Sequence, residues 1–245
     1  MATLYARLGA KVMLASRSLE HLEPAAAEIR AAGGTAGVVS VDVRKPEDVD
    51  RMVAATLDAF GRIDILVNNA AANFLCQAEQ LSPRGWNAVV DIVLTGSFYC
   101  SRAVGRVLIE RGWPGHILNI VSTYPWTGCP GAVHHAAAKA GVMAMTMTLA
   151  VEWARFRIRV NAIAPGPFET PGPMERFNFH VGDEVHERVR QDVPIKRFGQ
   201  PWEVANLAAY LVSDYADFIN GETVVIDGGT WLSKGYFPYF TPGLL

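Results

Sequence analysis

The chain is poor in the features that mark several large classes of protein. It has three cysteines in 245 residues, Cys76, Cys100 and Cys129, and no Cys-x-x-Cys pair. An odd, widely spaced set of thiols does not make a disulfide framework and fits a reducing compartment, so a cytoplasmic location is expected. The six histidines form no His-Glu-x-x-His pattern, and no metal site is expected. Basic charge is not in excess, since 22 Lys and Arg stand against 24 Asp and Glu. A nucleic-acid-binding domain would carry a basic stripe, so no nucleic-acid partner is expected. No uninterrupted apolar run reaches the roughly 20 residues of a membrane span, so no membrane partner is expected. Internal repeats and low-complexity linkers are missing too. The first nineteen residues hold Arg7, Lys11 and Arg17 but no acid, a bias shared with targeting peptides. A surface helix ended by Gly9 fits that segment better.

What is present suits a single α/β domain over residues 1–245. Half the residues are apolar, enough for a sizeable core. The chain opens in a helix, Ala2 to Leu8. Short apolar runs then alternate with helical patterns such as Glu20 to Ala32 and Pro46 to Phe60. The runs predict strands at Lys11–Ala15, Ala36–Val41, Ile63–Val67, Ile117–Val121, Ile158–Ala164 and Thr223–Ile226. Strands that alternate with helices imply a doubly wound, parallel, Rossmann-like sheet.

The stretch from Leu118 to Gly166 organises the rest. An apolar strand ends in Ser122-Thr123-Tyr124. A Pro/Gly-rich loop leads into a long helix that carries Lys139, four residues beyond His135. A second strand ends in Pro165-Gly166. In open parallel sheets the ligand sits outside the carboxyl ends of the strands. Ser122, Tyr124 and the residues after Pro165 therefore face one crevice, and Lys139 reaches in from the helix. Ala136, Ala137, Ala138, Ala140 and Gly141 around it are small enough for close approach. A lone lysine on a helix is usually solvated, and a loop tyrosine is often a packing residue.

That stretch resembles the active-site half of the short-chain dehydrogenase/reductases, whose pattern is a Ser after the strand and then Tyr-x-x-x-Lys on the helix. Here the helix position holds His135. In the 2,4-dienoyl-CoA reductases of the family the tyrosine sits in the loop after the strand, eleven residues before the vacated position. Tyr124 lies eleven before His135. Asn68 to Phe74, and Leu81-Ser82-Pro83 with Trp86, resemble the same branch. Asn68-Asn69-Ala70-Ala71 is similar to the family's Asn-Asn-Ala-Gly. Pro165 to Thr170 fits Pro-Gly-x-x-x-Thr. Thr95 occupies the place of a family asparagine. The likeness covers the whole chain except one piece. A Rossmann unit opens with a strand and a glycine-rich turn, and neither stands before the first helix. The expectation is a mis-assigned start or a fragment, short by roughly 20 residues, the size of a strand and its turn. In the order 3-2-1-4-5-6 that strand is central, so a gap is expected between the strands ending at Ala15 and Val67.

The resemblance implies an oxidoreductase that uses NADP. Arg17, between Ser16 and Ser18 at the end of a strand, is placed to accept a 2′-phosphate. Asp42, followed by Val43, carries over as the adenine contact. Asn69, Ala70 and Ala71 lie along the cofactor, Lys139 on the nicotinamide ribose, and Thr170, beyond Pro165 and Gly166, on the nicotinamide amide. The implied reaction reduces a 2,4-dienoyl-CoA thioester to a 3-enoyl thioester. Tyr124, aided by Thr95, stabilises the charge on the thioester oxygen. Ser122 binds ligand or ends the strand, and His135 is a ring donor or a bland replacement. Residues 171–192 correspond to a substrate lid, and the aromatic tail from Trp231 packs on a lid or subunit. A homotetramer through the helices of Thr95 and Lys139 is expected. Two alternatives stay open. One is an ordinary carbonyl reductase or alcohol dehydrogenase with Tyr124 or His135 as proton donor. The other is a disabled relative that serves as a binding module.

Overall fold

The computed structural model describes residues 1–169 and 183–233. Six strands alternate with helices along the chain. Helix α1 (Ala2–Arg7) leads to β1 (Lys11–Ser16), α2 (Leu19–Ala31), β2 (Thr35–Ser40), α3 (Pro46–Phe60) and β3 (Ile65–Asn68). Then come α4 (Pro83–Val90), α5 (Gly96–Arg111), β4 (Gly115–Ile120), α6 (Tyr124–Thr127), α7 (Val133–Trp153) and β5 (Ile158–Pro165). Helices α8 (Asp183–Asp192) and α9 (Pro201–Leu211) precede β6 (Thr223–Ile226). All six expected strands are present. β2 to β4 are shifted by one or two residues, because short apolar runs define strand centres better than ends.

Every strand pair is parallel, but the strands form two sheets. One is β1-β2 and the other β3-β4-β5-β6. Among the described residues β1 and β3 do not pair, so the expected central gap is there, with an unpaired backbone edge on each side. Burial records the same gap. β5 is buried along Ile158 to Ala164, as a central parallel strand should be. Val12, Met13 and Leu14 of β1, and Ile65, Leu66 and Val67 of β3, are as apolar but only half-buried. Two apolar clusters span the gap. Val12 joins Ile65, Val67, Leu118 and Ile163 on one face, and Val39 joins Leu66, Ile117 and Val160 on the other.

Helices α4 and α5 run on without a break from Pro83 to Arg111, joined by a π turn at Asp91–Thr95. This 29-residue helix is long and apolar enough to cross a membrane. Its apolar positions Val89, Val93, Cys100, Val104 and Leu108 are nevertheless buried in the protein. Of the stretch that reads as a span, 44% is buried inside the protein.

Candidate active site

The carboxyl end of β4 starts the site. Ile120 ends the strand, Val121 continues it with a hydrogen bond to Ile163 O (2.8 Å), and Ser122 follows. The Ser122 hydroxyl is buried, and among the described residues it has no partner. A buried hydroxyl without a partner is unfavourable unless something else supplies the bond. Thr123 then opens α6, a single turn with Tyr124 first and Pro125 second, where proline is tolerated. The expected loop tyrosine therefore sits on a helical turn. Gly128, at φ 68°, ends the turn and sends the chain back toward α7.

Helix α7 brings in the other two groups. Lys139 is 4% exposed and donates from Nζ to the Ile120 carbonyl at 2.5 Å. Burial depresses its ammonium from 10.5 to about 8. Gly141, half a turn on, lets α7 approach Leu94 of the π turn; a Cβ there would meet Leu94 at 2.8 Å. The Tyr124 ring stands edge-on to the His135 ring, with centroids 5.9 Å apart and planes at 71°. So the tyrosine from the preceding turn lies against the helix position four before Lys139. Burial, with Cys129 as second cause, raises the Tyr124 hydroxyl to about 12. It stays protonated at neutral pH and can donate.

His135 bonds through Nδ1 to the Ala72 carbonyl at 3.0 Å. A carbonyl only accepts, so Nδ1 carries the proton. Burial first, and then Lys139, lowers this imidazole to about 4. His134 is fully buried and stands edge-on to Phe74, centroids 4.5 Å apart. The loop after β3 is thereby laid along the start of α7, and Asn69, Ala70 and Ala71 remain exposed at the rim.

Other expected site residues fall elsewhere. Thr95 ends the π turn, a helix irregularity frequent at functional sites. Among the described residues it makes no hydrogen bond to Tyr124, His135 or Lys139. Ser16, Arg17 and Ser18 close the far end of the crevice, where Ser40 Oγ donates to Arg17 O. Asp42 does not present a free carboxylate. Arg44 grips it with two guanidinium nitrogens, Nε to Oδ1 at 2.9 Å and Nη2 to Oδ2 at 2.5 Å, which holds its pKa at about 2. Val43 packs on Gly96, where a Cβ would meet it at 2.6 Å. Pro165 pairs with Ile226, and Gly166 lies so close to Asp227 that a Cβ would sit 2.3 Å away. Thr170 and residues 171–182 of the expected lid lie outside the described residues; 183–192 form α8. Of the tail, Trp231 is described and residues 234–245 are not.

Sequence reading missed a buried polar chain behind the site. Asn68 Nδ2 donates to Asn119 Oδ1 (2.8 Å) and to Ser101 Oγ (2.9 Å), and Asn119 Nδ2 donates to Thr146 Oγ1 (2.8 Å). These bonds fix β3, β4, α5 and α7 in register. The signal was available: an asparagine inside the apolar run around Asn119 must find partners.

The residues suit a dinucleotide at its two ends. Arg17, near enough to Asp42 to help lower its pKa, offers cationic charge at one end. Lys139, the orphan Ser122 hydroxyl and the Asn69–Ala71 rim lie at the other. Between them, where a glycine-rich turn would cradle a pyrophosphate, the described residues hold none, and the free edges of β1 and β3 flank that place.

A family profile described as Enoyl-(Acyl carrier protein) reductase matches residues 1–230. The chain belongs to the short-chain dehydrogenase/reductase family. Members of this family are NAD(P)-dependent oxidoreductases. This short-chain dehydrogenase/reductase is 46% identical over 234 residues to a Bacillus subtilis (strain 168) protein named "Probable 2,4-dienoyl-CoA reductase ((2E)-enoyl-CoA-producing)", covering 95% of this chain and 91% of the other. It is 40% identical over 244 residues to the peroxisomal 2,4-dienoyl-CoA reductase ((3E)-enoyl-CoA-producing) of Arabidopsis thaliana, covering 96% and 80%. A crystal structure of a short-chain dehydrogenase from Bacillus anthracis superposes with a TM-score of 0.84 at 50% identity, covering 94% of this chain and 89% of that one.

Proposed function

We propose that the protein is an NADPH-dependent reductase of 2,4-dienoyl-CoA thioesters that yields the 3-enoyl thioester. The observation that carries this reading is the Tyr124 ring against His135, which sets a protonated phenol beside the helix position four before a buried ammonium. The cofactor would supply hydride. What the chain supplies is an environment for the negative charge that hydride addition leaves on the conjugated thioester. Tyr124 donates a hydrogen bond to the thioester oxygen, where an oxyanion donor is worth most. Lys139, charged at neutral pH, keeps two N–H groups beyond the one on Ile120 O and holds ribose hydroxyls. Ser122 provides one more donor to bound ligand.

An apolar acyl chain suits the rim. Trp126, two residues past Tyr124, stacks on Trp231 with centroids 5.5 Å apart, and both lie beyond the carboxyl ends of the sheet. Arg17 supports the choice of NADP over NAD. The exposed apolar residues Phe98 of α5, and Met147 and Val151 of α7, support assembly as a homotetramer through these two helices. A cytoplasmic location completes the proposal.

The ordinary carbonyl-reductase alternative needs a donor that re-protonates an alkoxide. His135, neutral and with its proton spent on Ala72, is poorly suited to that role. The deciding assay follows NADPH oxidation with a dienoyl-CoA and with a 3-oxoacyl-CoA, and identifies the double-bond position of the product. Turnover of the 3-oxoacyl thioester alone would overturn the proposal, and a 2-enoyl product would overturn its regiochemistry.

A further inference from the structure

We infer that His135 is a positioning residue: a neutral imidazole, protonated on Nδ1, that ties the loop after β3 to α7 and leaves Nε2 as a bare acceptor. The geometry behind this starts at the loop. Several contacts join residues 72–76 to residues 131–135, three of them specific in geometry. The Cys76 N–H donates to Gly131 O at 2.8 Å, Phe74 takes the edge of His134, and the Ala72 carbonyl accepts from His135 Nδ1 at 3.0 Å. Only the last is a hydrogen bond from a side chain. It is also the one nearest the exposed Asn69–Ala71 rim.

In a neutral ring the tautomer follows from the Ala72 carbonyl. Ala72 O accepts, Nδ1 donates, and a neutral ring has one proton, so Nε2 carries none. Among the described residues Nε2 has no hydrogen-bond partner. The surroundings keep the ring neutral. Lys139 stands one turn along α7, His134 is adjacent, Tyr124 and Cys129 face it from α6 and the segment after it, and Asn69 to Phe74 hold no ionisable side chain. No carboxylate is among these groups to stabilise an imidazolium. His135 therefore acts on the reaction through Ala72. It sets the distance between the rim that lies along the cofactor and the ammonium of Lys139. That part of the inference rests on the reading of the site as an NADPH-dependent reductase; the tautomer and the tether do not.

The test separates the two. In the ¹⁵N-histidine-labelled protein, His135 should show a protonated Nδ1 and an unprotonated Nε2, unchanged from pH 8 to pH 5. A proton on Nε2, or a midpoint near the ordinary histidine value, would overturn the inference. His135→Ala should speed hydrogen exchange of the loop amides on the order of 5–10-fold, the effect of one lost hydrogen bond. His135→Asn, whose amide can donate where Nδ1 does, should restore protection. Unchanged exchange in the alanine variant, or an asparagine variant that behaves like alanine, would overturn the tether. In turnover, His135→Ala should raise KM for NADPH by a similar factor at nearly constant kcat, with rescue by Asn. A fall in kcat alone would overturn the positioning role. If neither variant nor parent reduces a dienoyl thioester, the proposed reaction fails, and the resonance and exchange data still decide the tether.

Discussion

Lys139 holds a charge where the fold disfavours it, and that has a measurable consequence. The drop from 10.5 in the unfolded chain to about 8 in the folded one corresponds to about 3 kcal/mol against folding while the ammonium is charged. Lys139→Met removes the charge and nearly keeps the volume. It also leaves the Ile120 carbonyl without its partner, at about 1 kcal/mol. The net expectation at pH 7 is a stabilisation of about 2 kcal/mol, or about 4–8 °C in Tm for a chain of this size. The sign across pH is fixed. Between about 8 and 10.5 the unfolded chain keeps a proton that the folded chain has released, so the parent gains stability as pH rises through that window. The advantage of Lys139→Met should therefore shrink from pH 8 and reverse slightly near pH 10.5. Other groups titrate there too, but they cancel in the difference between parent and variant. Urea unfolding of both proteins at several pH values is the assay. A variant less stable than the parent at pH 7, or a difference that stays constant to pH 10.5, would refute the reasoning. The variant should also lose turnover, as expected when a strained group is kept for function.

Four further outcomes are expected. Tyr124→Phe removes one oxyanion donor without opening a cavity, and kcat for a dienoyl thioester should fall about 10²–10³-fold with NADPH binding little changed; an unaffected kcat would remove Tyr124 from the chemistry. Arg17→Asp should turn a preference for NADP into one for NAD, read from KM ratios, because the charge-assisted phosphate contact is replaced by repulsion. Trp126→Ala should raise KM for long-chain thioesters and leave short-chain ones nearly unchanged; equal effects on both would take the Trp126–Trp231 pair out of chain binding. Amides of β1 and β3 that point into the gap should exchange far faster than those of β5, since only the latter are paired on both sides; uniform protection would mean that the two edges are closed in solution.

Much of the fold was legible because parallel strands leave a blunt signal. A run such as Ile158 to Ala164, buried on both faces, has few other places to go. The separation of β1 from β3 was legible as well, because the order 3-2-1-4-5-6 does not make these two strands neighbours. Strand ends were less legible. β4 begins at Gly115, where a Cβ would meet Leu108 at 2.5 Å, and that close packing of strand on helix cannot be seen in a linear pattern. The same holds for the π turn at Asp91–Thr95, because one extra residue in a helical turn barely disturbs the hydrophobic period. Asp42 shows the limit of reading by position. Its place after β2 suggested a ligand contact, but Arg44, two residues on, takes up the carboxylate.

The candidate catalytic residues divide along a similar line. The βαβ layout and the resemblance to the dienoyl-CoA reductases together paired Tyr124 with Lys139, because a turn after β4 and a position on α7 are brought together by the crossover. Spacing could not say what His135 does there. Its role depends on which atom faces Nδ1, and that atom belongs to Ala72, 63 residues earlier in the chain. Once the carbonyl is known, the donor question answers itself. A histidine that has given its proton to the backbone in a buried site, with a lysine one turn away, enters the crevice only as an acceptor. The phenol of Tyr124, raised by burial and so still protonated, is then the hydrogen-bond donor that adjoins it. The two protonation states follow from opposite effects of one cause. Burial holds the proton on the phenol and keeps a second proton off the imidazole.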